Sequence, residues 1–141
     1  MNLSSSKQKQ AVYFLITYVM MSSGRITSNK GNYWKKIATF ININDAEKSS
    51  AMSSGINDSL TIINGLSEEN RARVFAMVIN MAFADGTVQE NVATLLKQIA
   101  FALQIPPILE KMAQKGTNLS KNYMLCSRVS IEIGALKTIY F

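Results

Sequence analysis

The feature that most constrains this chain of 141 residues is a self-similarity at an offset of 62. Residues 13–44 laid over residues 75–106, without a gap, agree in apolar pattern almost throughout. Gly24 falls on Gly86, Ile26 on Val88, Asn29 on Asn91 and Lys35 on Lys97. Ile37 and Ala38 fall on Ile99 and Ala100, while Ile41 and Ile43 fall on Leu103 and Ile105. Self-similarity at a fixed offset is the mark of a repeated supersecondary unit. Whatever one copy folds into, the other should fold into as well.

Each copy reads as helix, tight loop, helix. In the second copy, Val74, Met77, Val78, Met81 and Ala82 give the three-and-four spacing of a core-facing helix over 67–84. Ser67 followed by Glu68 and Glu69 is its N-cap, with acids in the first turn where the helix dipole favours them. The corresponding first helix spans 7–21. Gly24 and Gly86 supply the positive φ that ends each helix. Ile26 and Val88 are expected to plug back into the core. Thr87 to Glu90 reads as a capping box opening the next helix, which carries Val92, Leu95, Leu96, Ile99, Ala100 and Leu103. Its counterpart carries Trp34, Ile37, Ala38 and Ile41.

Between the copies, Asp45 caps an expected linking helix over 45–64, weakened by serines and Gly55 and held down by Ile56, Leu60 and Ile63. After them, Pro106 or Pro107 suits the first turn of a helix over 108–115 that Gly116 ends. A last helix or pair is expected over 119–140. The alternation at 129–133 looks strand-like, but a lone strand has nothing to pair with. The expected fold is all-α: a single-domain bundle of about seven helices over 1–141. Repeat one occupies about 7–44, the linking helix 45–64, repeat two about 67–105 and C-terminal helices 106–141.

Composition removes several functions. Apolar residues make up 48%, enough for a packed core. There is no histidine, which takes away the commonest general base and metal ligand together. The single cysteine, Cys126, has neither a disulfide mate nor a zinc-site companion. Phosphate-loop, dinucleotide and Gly-x-Ser-x-Gly motifs are absent. No catalytic residue is expected, and an enzyme is the least favoured class. Lys7 and Lys9 ahead of the apolar run 11–21 resemble a signal peptide in order and length. That run also fits the first core helix of the repeat and is too short to span a bilayer, so the expectation is a cytoplasmic protein.

The segment 81–103, MAFADGTVQENVATLLKQIAFAL, resembles the signature of the TerB-like family. It has a helix ending in Ala-Asp-Gly, a small apolar turn, a glutamate, then an amphipathic helix with an alanine-rich end. The resemblance covers about residues 13–115. It implies an all-α, bacterial, non-enzymatic protein tied to tellurite resistance, stress response, or conflict with phage and mobile elements. It also implies acidic motif residues that hold a divalent cation, the one cofactor in view. In this chain that role falls only to Asp85 and Glu90. The first copy has Ser23 and Ser28 at those positions, and two carboxylates fall short of the about six to eight oxygens that calcium takes. Glu90 also reads as the capping-box acid, and Asp85 as a loop residue accepting backbone N–H groups.

The net charge is +6, and residues 1–44 hold all of the surplus: six basic residues and no acid. Arg25, Lys30, Tyr33, Lys35 and Lys36 form a basic run with interleaved aromatics, a candidate contact for a protein partner or an anion. Nucleic-acid surfaces have this composition. Against that, Trp34 aligns with the core position Leu96, which turns it inward and leaves Lys35 and Lys36 as an ordinary solvated face. The leading expectation is a protein-binding module, with cation binding and nucleic-acid binding as the alternatives. Oligomeric state is not legible.

Overall fold

The structure is a computed structural model that describes residues 3–105. Among these the chain is all-helical: α1 (Ser6–Ser22), α2 (Ser28–Phe40), α3 (Asp45–Ala51), α4 (Ile56–Asn64), α5 (Glu68–Ala82) and α6 (Glu90–Ala102). The helices expected after residue 105 lie outside the described residues. None of the six is long and apolar enough to cross a membrane.

The apolar run of α1 wraps nearly the whole helix, so one exposed stripe would not satisfy it. Ala11, Val12, Tyr13, Leu15, Ile16, Thr17, Val19 and Met20 are all buried, and α1 packs against each of the other five helices. α5 is the other heavily buried helix, through Val74, Phe75, Met77, Val78, Ile79 and Met81. It lies against α1, α2 and α6. A helix buried on most of its faces belongs at the centre of a bundle, and amphipathic helices surround it.

Several local features recur 62 residues apart. Ser5 caps α1 by accepting from the Gln8 amide, and Ser67 caps α5 by accepting from the Asn70 amide. Gly24 and Gly86 have φ +76° and +83°. α2 and α6 start at Ser28 and Glu90 and end at Phe40 and Ala102. After them, Asn42 and Gln104 adopt left-handed backbone at φ 55° and 54°. Ile43 N–H then reaches back to the Ala38 carbonyl at 3.2 Å, and Ile105 N–H to that of Ala100 at 3.0 Å. These closures satisfy helix-end carbonyls and tuck a buried isoleucine against a buried alanine, as in a Schellman motif. Asparagine tolerates the left-handed region better than most side chains. No glycine marks either position.

Four expectations need correction. The linking segment is two helices rather than one, so six helices stand among the described residues where five of the expected seven were placed. Ser53, Ser54 and Gly55 part α3 from α4; serine hydroxyls compete for backbone carbonyls, as Ser53 does for that of Ser50, and glycine is a poor helix former. The cap of α3 is Asn44, not Asp45. The box expected at Thr87–Glu90 does not form, because α6 begins at Glu90 itself with Gln89 as an N-cap that makes no side-chain bond. Ile26 is 56% exposed, whereas Val88 does pack on the core.

A capping box does form at the start of α3, where Asn44 Oδ1 accepts from the Glu47 amide and Glu47 Oε1 accepts from that of Asn44. The Glu47 carboxyl is held below the usual glutamate range by a hydrogen bond from Ser6 and then by the Asn44 amide, against the opposing effect of burial, with the charge of Lys9 adding least. A carboxyl depressed in the folded state adds stability above its ordinary value and loses it as pH falls through the lowered one. Glu47→Gln is therefore expected to flatten the acid limb of a stability–pH curve measured by urea unfolding. An unchanged acid limb would remove Glu47 from that role.

Candidate interaction site

Two concavities involve the residues singled out from the sequence. The first lies where the loop after α1 meets the loop after α5. Gly24 and Gly86 turn both loops, and polar side chains fill the space between them. Asp85 does not cap its own loop, as the sequence suggested. Its Oδ1 accepts from the Thr27 hydroxyl of the other loop at 2.7 Å. Thr27 in turn is the N-cap of α2, accepting from the Lys30 amide at 3.3 Å. Lys30 is 7% exposed, and its Nζ donates to Ser23 Oγ at 2.5 Å and lies 3.9 Å from Asp85 Oδ2. Ser23 passes the chain of bonds on to the Arg25 carbonyl at 3.0 Å. Asn91 Nδ2 adds a further tie by donating to the Ser22 carbonyl at 3.0 Å.

The arrangement makes chemical sense of Lys30. A buried ammonium is costly unless it is paired and hydrogen-bonded, and Ser23 and Asp85 provide for both. The same arrangement bears on cation binding. Both Asp85 oxygens face donors of this chain, so an incoming metal would have to displace the Lys30 ammonium. Glu90 is solvent-exposed at the first turn of α6. Among the described residues, no three or more carboxylate, thiol or imidazole side chains gather as a metal-holding group. Arg25 is exposed and borders the cleft of about 300 Å³ between the loops, together with Lys30 and Asp85.

The second concavity, of about 470 Å³, lies between the later turns of α2 and the start of α3. Trp34, Ala38 and Ile43 line it, with Lys35 and Lys48 among its polar borders. Trp34 is turned inward, as its register predicts. It stacks on Tyr13 with ring centroids 5.5 Å apart, and its indole N–H donates to Thr17 Oγ1 at 2.9 Å. Such an aromatic pair adds about 0.5–1.5 kcal/mol beyond its burial. Burial first, and the Asp45 charge second, push the Tyr13 phenol up. Tyr33 is half-buried, its hydroxyl taking a 3.2 Å bond from Asn80 Nδ2. Lys35 and Lys36 are exposed.

The basic run is thus divided. Arg25 and Lys30 belong to the cleft between the loops, while Lys35 borders the groove beside Trp34. Sequence reasoning missed Thr27, Asn91, Tyr13 and Lys48 as members of these sites. Asn91 falls on Asn29 in the self-alignment and was the most legible of them; Lys48 sits on the linking segment, where no pattern pointed to it.

No family model matches the chain, and no curated protein matches it. A solved structure does: a protein of unknown function from Porphyromonas gingivalis, at a TM-score of 0.61 and 18% identity, over 75% of this chain and 85% of that one. The likeness places this chain in a known helical arrangement.

Proposed function

We propose that this chain is a non-enzymatic helical interaction module similar to the TerB-like family. In this reading it is built from two copies of one helix–loop–helix unit and binds a protein partner in bacterial stress response or in conflict with mobile elements. The repeat is supported by the pairs of caps, positive-φ residues and helix bounds that stand 62 positions apart.

The observation that carries the binding function is the outer face of α2. Phe40 is 56% exposed and stands one turn beyond Lys36, with Lys35 adjacent. Among the described residues, an exposed aromatic beside solvated cations adds little to the core. Aromatic anchors are, however, enriched at the centres of protein interfaces. The test is a tagged pull-down from the native cell, with and without nuclease, read by mass spectrometry. A stoichiometric partner that resists nuclease is the expected result. Recovery that vanishes with nuclease would replace the reading with nucleic-acid binding, and recovery of nothing would remove it.

A further inference from the structure

We infer that the partner docks in the groove between α2 and α3, and that the docking segment is acidic, with an apolar side chain flanked by carboxylates. This inference rests on the protein-binding reading above and places the contact on the side of α2 next to the Phe40 and Lys36 face, with Lys35 between the two.

The groove offers both halves of such a recognition. Its apolar wall is the half-buried Trp34, with the buried Ala38 and Ile43 behind it, and Lys35 and Lys48 stand at its borders. A third ammonium lies at one end: Lys9 Nζ donates at 3.1 Å to the carbonyl of Asn42, the left-handed residue that turns the chain along the groove. Two acids stand among these cations, so the local surplus is carried by Lys35 and, one position along α2, by Lys36. Glu47, bonded in the cap of α3, keeps its charge and meets that of Lys9. Asp45 lies 3.7 Å from Lys48, but its side chain is fully solvated, so water and salt screen it. The basic surplus of residues 1–44 thus has three of its members at or near this groove, or beside it on α2, as Lys9, Lys35 and Lys36.

Charge complementarity favours an acidic partner, and the spacing of charges favours protein over nucleic acid. A phosphate-tracking surface needs an open row of cations. Here the middle of the run from Arg25 to Lys36 is lost to it, since Lys30 is buried beside Asp85. The indole of Trp34 is also held, by Tyr13 against one side and by Thr17 at its N–H, which suits a fixed wall better than a platform for successive bases.

Trp34 is the only tryptophan in the chain, so its emission reports on the groove directly. The experiment titrates the full chain with a blocked synthetic peptide, Asp-Glu-Phe-Asp-Glu-Leu. A version with lysine at every acid and a single-stranded thymidine oligonucleotide serve as parallel probes. A saturable emission change with the acidic peptide is expected. Binding should weaken at least about tenfold in Lys35→Glu/Lys48→Glu, and the double variant should gain affinity for the basic peptide. Lys35 is exposed, but glutamate at 48 sets like charges beside Asp45 in the last turn of α3, so single Lys35→Glu, with a smaller loss of binding, repeats the test if the double variant melts below the wild type. No saturable change, affinity indifferent to either variant, or tighter binding of the oligonucleotide would each overturn the inference. A pulled-down partner retained equally by wild type and double variant would overturn the groove and leave the interaction reading standing. Peptide binding that obeys the charge swap, with no partner recovered by the wild type, would support the groove's chemistry while the wider reading fails.

Discussion

Phe75→Ala is expected to cost about 3–5 kcal/mol of stability and to lower Tm by more than about 10 °C. Phe75 sits in the middle of α5 at 1% exposure, and α5 packs against α1, α2 and α6. Removing the ring leaves a cavity that three neighbouring helices would have to collapse into together, and close-packed interiors relax only in part. Phe101→Ala is the matching control: the same change at 87% exposure should stay within about 0.5 kcal/mol. Thermal and urea unfolding of the two variants side by side decide the matter. Equal losses would mean that the faces of α5 and α6 are not those described.

Lys30→Glu is expected to destabilise the chain by about 2–4 kcal/mol at neutral pH, and by less as the solution is acidified. The new carboxylate would occupy a site where Lys30 is 7% exposed and lies 3.9 Å from Asp85. Two carboxylates held together there bind a proton more readily folded than unfolded. Their folded pKa is raised, so the lost stability returns as pH falls. Lys30→Met separates charge from packing. It leaves Asp85 without its ammonium but introduces no second carboxylate, and Asp85 is 27% exposed, so methionine should cost less than glutamate. Urea unfolding across pH reads both variants. A Lys30→Glu protein with wild-type stability would put the Lys30 side chain in water.

The four long helices were legible because burial leaves a periodic signal. Apolar spacing located α1, α2, α5 and α6, and the two glycines located the turns after α1 and α5. What the sequence hid was decided by competition between polar groups. Thr87 and Glu90 have the spacing of a capping box, yet the helix starts late enough that Glu90 becomes its first residue. Asp45 looked like the cap of α3, but Asn44 one place earlier can bond reciprocally with Glu47. Asn42 and Gln104 take left-handed backbone without glycine because closing bonds and a buried isoleucine hold them. For the sites, exposure of Lys35 and Lys36 and the inward turn of Trp34 followed from register. The contact between Asp85 and Lys30 did not, since it joins residues 55 positions apart that carry no shared local pattern.

That contact also gives the two helix pairs a sense of which is which. Lys30 meets Asp85, whereas the equivalent places on the opposite pair hold Val92 and Ser23. Two first pairs facing each other in this geometry would offer ammonium groups no carboxylate, and two second pairs would set a carboxylate against valine. Only the unlike combination matches. If the chain were cut in the turn between α4 and α5, this contact would therefore favour association of unlike fragments over like ones.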